Sequence, residues 1–269
     1  MNQSVDQYSS KVPAPIVLLS DFGDQDSYVG VMKGVIATLC PWVRCLDLTH
    51  AIPSQQVRSG SFCLQQASAY FPPGSIFLCV VDPEVGSQRR AISVECDRYI
   101  YVGPDNGLGW GLWRDREIKR CVELTNPDYW WNRDPSRTFH GRDIFAPVAA
   151  HLARGIDLSQ LGQTLDPASL VSLPASPLTV TRETIAGTID YIDRFGNLIS
   201  NIAAPLMPEN CTIIYHDCPI PWGQTYADRP PGQVLALIGS HGFLEIAVNG
   251  GNAQAQFNAL IGDRLTVIR

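Results

Sequence analysis

The sequence predicts an α/β protein in two parts. The first is an N-terminal three-layer α/β/α domain on a central, mostly parallel sheet, and the second a smaller C-terminal all-β domain of barrel-like form. Three observations carry this. Over the first 165 residues short apolar runs alternate with segments of helical period, as β-α units do. The run Ile76-Phe77-Leu78-Cys79-Val80-Val81 has no polar alternation, which suits a strand buried on both faces. Beyond residue 181 the helical period gives way to short strands separated by Gly, Asn, Asp and Pro. The expected domains are 15–165 and 182–269, joined by a linker over 166–181 that carries three prolines and no helical period.

Each element has its own warrant. Residues 1–14 are polar and are expected to form a disordered leader. A strand over 16–19 runs into Ser20-Asp21-Phe22-Gly23, so an acid and a glycine stand just past its end. Residues 27–39 read as a helix, with Val31, Val35 and Ile36 on one face, Asp26 or Ser27 as N-cap and Pro41 as the stop. A strand over 43–48 closes on Thr49-His50, and a helix over 57–71 is stopped by Pro72-Pro73-Gly74. The strand over 76–81 ends at Asp82, because Pro83 has no N–H to give a central ladder. Strands over 91–94 and 99–102 and the turn Gly103-Pro104-Asp105-Asn106-Gly107 follow. A helix over 144–153 tolerates Pro147 in its first turn. In the C-terminal part strands are expected over 183–192, 198–202, 211–215, 234–238, 244–248 and 265–268, with helix only over 252–260.

Composition excludes several functions. A net charge of −6 and the lack of any Lys/Arg run argue against nucleic acid as a partner. No apolar stretch reaches the roughly 18 residues that span a bilayer, so no membrane partner is expected. The polar N-terminus lacks an apolar signal core, which points to the cytoplasm. The eight cysteines are scattered without a C-x-x-C pair, so no metal site is expected and buried thiols in a reducing compartment account for them.

Candidate chemistry gathers where an open α/β sheet binds ligands, past the carboxyl ends of its strands. Asp82 stands there, and Arg89 follows close enough to face it across a turn. The pair reads as a site acid with its cation or as a plain loop salt bridge. His140, in Phe139-His140-Gly141-Arg142-Asp143, falls at the N-terminus of the 144–153 helix. There the helix dipole disfavours imidazolium and leaves a neutral ring able to accept a proton; a capping or packing histidine is the alternative. By the same residue chemistry Asp21 is an N-cap or turn acid, and Phe195-Gly196-Asn197 a hairpin turn. The run Tyr129-Trp130-Trp131 either covers a ligand or packs in a core or interface.

Several motifs recur together in order over residues 15–269: Leu19-Ser20-Asp21-Phe22-Gly23, Tyr28-Val29-Gly30-Val31-Met32-Lys33-Gly34, Asp47-Leu48-Thr49-His50, Val81-Asp82-Pro83, Gly103-Pro104-Asp105-Asn106-Gly107, Phe139-His140-Gly141-Arg142-Asp143, Phe195-Gly196-Asn197 and Gly242-Phe243-Leu244-Glu245-Ile246-Ala247. As a set they resemble the S-adenosyl-L-methionine (SAM) hydroxide adenosyltransferases, relatives of the SAM-dependent fluorinase and chlorinase. The resemblance implies hydrolysis of SAM to adenosine and L-methionine by water or hydroxide at the ribose 5′ carbon. It places Asp82, Arg89 and His140 around the water. In the halogenase relatives the Arg and His are replaced, so their presence favours hydrolysis over formation of a 5′-halo-5′-deoxyadenosine. A non-catalytic SAM-binding protein is the third reading. The resemblance also implies that Asp21 takes the ribose hydroxyls, Asp193 and Asn197 the methionine ammonium and the adenine edge, and Ser240 the methionine carboxylate. It implies no metal and no cofactor besides the substrate. It further implies a homotrimer with each site formed between the N-terminal domain of one subunit and the C-terminal domain of the next. Two departures stand out. Glu84 replaces the family's usual glycine, where a side chain could alter the turn that presents Arg89 or add charge near the sulfonium. Gly239, followed by Ser240 and an unusual His241, replaces the usual Asn.

Overall fold

The structure, a computed structural model, describes residues 14–269; the leader expected over 1–14 lies, but for Ala14, outside the described residues. The chain divides into two compact units, one ending at Leu173 and the other spanning Pro174–Arg269.

The first unit contains β1 (Ile16–Ser20), α1 (Tyr28–Leu39), β2 (Cys45–Thr49), α2 (Val57–Ser68), β3 (Ile76–Val80), β4 (Ala91–Cys96), β5 (Ile100–Pro104), α3 (Trp110–Trp113), β6 (Ile118–Glu123), α4 (Ala146–Ala153) and β7 (Gln163–Thr164). Its strands form one sheet in the order β2-β1-β3-β5-β4-β6-β7. β2, β1, β3, β5 and β6 run one way, and β4 and β7 the other. Successive residues of β3 point to opposite faces, and both faces are covered. Ile76, Leu78 and Val80 join Met32 and Ile36 of α1 and Val148 of α4, whereas Phe77 and Cys79 join Leu64 of α2 and Leu112 of α3. Two buried faces explain why the run carries no polar alternation.

The strand order matters for function. From β1 the chain goes to β2 on one side of it, then crosses to β3 on the other. The carboxyl ends of β1 and β3 therefore flank a topological switch point, where open α/β sheets bind ligands. The register pairs Ser20 with Val80, so Asp21 and Asp82 emerge at the same end of neighbouring strands.

Several boundaries differ from the sequence expectation. α2 ends at Ser68, short of residue 71. The helix expected over 144–153 begins earlier, as a π-helical turn over Gly141–Phe145 that continues into α4. β6 was not expected, because Lys119 and Arg120 interrupt its apolar pattern. It pairs with β4 antiparallel, setting Arg120 opposite Glu95 on a solvated face where the two form an ion pair. The stretch read as a linker is divided between the units: Pro167–Ser169 forms a 3-10 turn in the first, and β8 (Thr179–Val180) pairs with β9 (Thr184–Ile192) in the second.

The second unit adds β9 (Thr184–Ile192), β10 (Leu198–Ala203), β11 (Thr212–Tyr215), β12 (Cys218–Ile220), β13 (Val234–Ile238), β14 (Phe243–Val248), α5 (Ala253–Phe257) and β15 (Arg264–Ile268). The antiparallel sheet runs β12-β11-β15-β9-β10-β14-β13. Its edges meet through Ala236, whose N–H donates to the Pro221 carbonyl (2.8 Å) and whose carbonyl accepts from the Gly223 N–H (2.9 Å). The sheet is thereby nearly closed, around Ile185, Leu198, Tyr215, Ile246 and Val267.

Candidate active site

Asp82 follows β3, and Arg89 returns to it at the far end of the same loop. Arg89 Nε lies 3.0 Å from both carboxylate oxygens, and Nη2 lies 2.5 Å from Oδ2. Both side chains are about 95 % buried, at 4 and 5 % exposure. Losing either partner would strand a buried charge, at a cost of about 3–5 kcal/mol. The guanidinium also lies over the Phe145 ring, 5.4 Å from its centroid. The loop closes on Gly86, whose φ of 77° suits glycine, and an added Cβ there would collide with the Arg137 carbonyl. Gly86 thus holds the Asp82–Arg89 loop against the segment that leads to His140.

His140 precedes the π-helical turn, and its Nδ1 lies 2.7 Å from Arg89 Nη2. Arginine can only donate, so Nδ1 accepts and the proton of the neutral ring sits on Nε2. Burial first, and the Arg89 charge second, push His140 below the ordinary imidazole value of 6.5, with Asp82 and Asp143 acting the other way. Desolvation and the neighbouring cation thus act in the same direction as the one expected of a helix N-terminus. Asp143, wholly buried, anchors the segment by accepting from Arg142 (2.6 Å) and from the Ser136 N–H (2.8 Å). Burial works against its charge, but those donors hold its carboxyl below the usual range.

Asp82 and His140 line a cavity of about 370 Å³ that also takes in Asp21, Phe22, Tyr28, Gln55 and Phe139. Asp21 Oδ2 accepts the Gln55 N–H at 2.8 Å, and Gln55 is held at φ 64°, a left-handed conformation rare for such a residue. Next to Asp21 in the chain, Ser20 takes part in a polar lock. Asp47 Oδ1 meets His50 Nε2 at 3.1 Å, and His50 Nδ1 meets the Ser20 hydroxyl at 2.7 Å. Lys33 meets the other Asp47 oxygen at 2.6 Å. The order Ser-His-Asp resembles a hydrolytic triad, but Ser20 is fully buried and its Oγ also faces the Phe22 N–H. It joins the ends of β1 and β2. The signal for it was present in Asp47-Leu48-Thr49-His50; only the pairing partner, Ser20, was not legible.

Asp193, Asn197 and Ser240 lie in the second unit. Asp193 Oδ1 accepts the N–H groups of Phe195 and Asn197, both at 2.9 Å, and its Oδ2 accepts the Asn197 side-chain amide at 2.9 Å. The two residues thus build the turn entering β10 and display Phe195, which is 74 % exposed. Ser240 lies in the β13–β14 turn, tied to the opposite end of β10 through Ala204 N–H to Gly242 carbonyl, 2.8 Å.

The departures have local explanations. Glu84 is exposed and does not need a positive φ, because Gly86 provides the left-handed residue of the turn. Gly239 is matched to His241. The buried Glu245 accepts from Tyr226 O–H (2.8 Å) and His241 Nε2 (3.0 Å), and a Cβ at 239 would collide with both that carboxylate and the His241 ring. The aromatic run does not line the cavity. Tyr129 stacks edge-on with His151, and Trp130 packs on the core between sheet, α1 and α4. Among the described residues no group of three or more His, Cys, Asp or Glu side chains is arranged to hold a metal ion.

Comparison with known proteins gives a consistent picture. Residues 16–162 match the family model for the SAM hydroxide adenosyltransferase N-terminal domain, and 187–266 that for its C-terminal domain. A Salinispora tropica protein named (R)-S-adenosyl-L-methionine hydrolase is 39 % identical, over 95 % of this chain and 98 % of its own. A fluorinase from an Actinoplanes species is 26 % identical over 94 % of this chain and 97 % of its own. A solved structure of a conserved protein from Thermotoga maritima superposes with a TM-score of 0.87 at 34 % identity, covering 94 % of this chain and all of that one.

Two measurements test the geometry. A depressed His140 pKa means the neutral ring prevails at pH 6.5 and above, and stability linked to it is lost as pH falls from 6.5 through the folded value. An NMR titration is expected to place the His140 midpoint below 6.5, and Arg89→Gln, which removes the cation, to raise it; a wild-type midpoint at or above 6.5 contradicts this. Gly239→Ala is expected to destabilise the chain by about 1–3 kcal/mol through overpacking, with part of the loss recovered on adding His241→Ala. Equal urea midpoints for wild type and Gly239→Ala would show that the ring and carboxylate yield freely.

Proposed function

This chain belongs to the SAM hydroxide adenosyltransferase family, and from that premise we propose that it hydrolyses S-adenosyl-L-methionine to adenosine and L-methionine. The observation that carries the proposal is the buried Asp82–Arg89 pair linked to the half-buried His140 at the switch-point cavity. Sulfonium leaves as a neutral thioether, taking the C5′–S electron pair, so no acid is needed. The demand falls on the nucleophile, since bulk water has a pKa of about 15.7. Asp82 accepts the proton as the C5′–O bond forms. His140, whose Nδ1 is occupied by Arg89, donates from Nε2 to the attacking oxygen. Arg89 orients Asp82 and favours hydroxide at the same place. A positioned base contributes roughly 10²–10⁴-fold, and in-line placement opposite sulfur adds to it.

Asp21, facing the same cavity, takes the ribose hydroxyls. Asp193, Asn197 and Ser240 are proposed contacts for the amino-acid end and the adenine. Because the candidate residues are divided over two units, a homotrimer that joins the first unit of one subunit to the second unit of the next is part of the proposal. The reaction requires no metal or added cofactor, as the leaving group is already activated. No helix among the described residues is long and apolar enough to cross a membrane; action in the cytoplasm, without membrane or nucleic acid, is the proposed setting. The name of the Salinispora tropica relative supports the R sulfonium epimer as the substrate.

Chromatography of protein incubated with each SAM epimer, with and without chloride or fluoride, tests the reading. Adenosine and methionine in equal amounts, unaffected by halide and formed from the R epimer, are expected. A 5′-halo product would establish the halogenase alternative, and SAM bound but unconsumed a binding protein. His140→Ala is expected to bind SAM with little change while losing roughly 10²-fold or more in turnover. Light scattering is expected to give the mass of three chains, and a monomer would remove the shared-site arrangement.

A further inference from the structure

The motif Gly103-Pro104-Asp105-Asn106-Gly107 touches none of the proposed reacting groups, yet it holds both ends of the loop that bears two of them. At the entry, Asn106 Nδ2 donates to the Val81 carbonyl at 2.9 Å, one residue before Asp82. Its Oδ1 accepts the Leu108 N–H at 3.1 Å, which fixes the orientation of the amide. At the exit, one residue beyond Arg89, the Asp105 N–H donates to the Arg90 carbonyl at 2.9 Å. The Arg90 guanidinium in turn grips Asp105, with Nε 2.9 Å from Oδ2 and Nη2 closer still. Asp105, 5 % exposed, also accepts the Val171 N–H at 2.9 Å, and Arg90 donates to Ser169 Oγ at 3.0 Å. The middle of the loop is fixed by Gly86 against Arg137.

We infer that Asn106 and Asp105 are positioning residues for the reaction, Asn106 holding the peptide before Asp82 and Asp105 the residue after Arg89. Resting on the proposed site, this explains why adjacent residues of one turn commit their side chains to two points nine residues apart in the chain, Val81 and Arg90. A carboxylate and guanidinium that must meet a water and a histidine in one geometry need the loop mounted at both ends, since a 1 Å misplacement can cost about 10²-fold in rate.

Asn106→Asp is the discriminating substitution. It is isosteric and keeps an acceptor for Leu108, so the turn survives, but it replaces the donor to Val81 with a second acceptor. Asn106→Ala removes the donor without adding charge and serves if the Asp variant does not fold. For either, kcat is expected to fall roughly 10–100-fold with KM for SAM nearly constant. The His140 NMR midpoint is expected to rise as Arg89 loosens; a purely structural residue would not move it. Asp105→Asn is expected to do the same from the other end of the loop. Unchanged kcat in both Asn106 variants, or a loss that follows only the fraction unfolded with the His140 midpoint fixed, overturns the inference. His140→Ala measured alongside separates the two levels. Wild-type turnover there sinks the site itself, whereas loss there beside wild-type turnover in the Asn106 variants sinks only the mounting role.

Discussion

The arrangement depends on one buried cation. Arg89 is nearly inaccessible to water, so its charge must be balanced where it stands, and Asp82 balances it with both oxygens. Because guanidinium has no acceptor, the same group decides how the neutral His140 is protonated. It also lowers the affinity of that ring for a second proton. One side chain thereby orders an acid, a tautomer and a local potential, and the surrounding loop is anchored at Val81, Gly86 and Arg90.

The sheet determines where this can happen. Strand order 2-1-3 opens a crevice beyond the ends of β1 and β3, and the register brings Asp21 and Asp82 out together. Two separate devices keep the crevice in shape. The Ser20–His50–Asp47–Lys33 lock ties the ends of β1 and β2 on the Asp21 side. The Asp105–Asn106 turn and Gly86 hold the loop on the Asp82 side. Each has a buried polar group at its centre, Ser20 and His50 in one and Asp105 in the other, whose partners are supplied by more exposed neighbours, which favours a single geometry.

The second unit follows a different logic. Its polar candidates, Asp193 and Asn197, satisfy each other within a turn, and Glu245 is satisfied by Tyr226 and His241. Residue 239 has no side chain because the His241 ring and the Glu245 carboxylate take up the space.

Apolar periodicity was sufficient to show two kinds of architecture and most strands and helices, since burial on one or both faces writes itself into local pattern. β6 was hidden because its solvated face carries Lys119 and Arg120, whose compensation by Glu95 lies on another strand. The residue types Asp82, Arg89 and His140, and their motifs, were likewise legible, as was the family they resemble. The sequence by itself thus determined the elements, the residue chemistry and the candidate set. Only the tertiary structure decided that His140 presents Nδ1 to Arg89, that burial and the Arg89 charge disfavour its protonation, and that Asn106 reaches Val81. Those outcomes rest on distances between residues 25 to 51 positions apart in the chain. Directional hydrogen bonds and desolvation are set by three-dimensional proximity, and local sequence pattern carries no record of it.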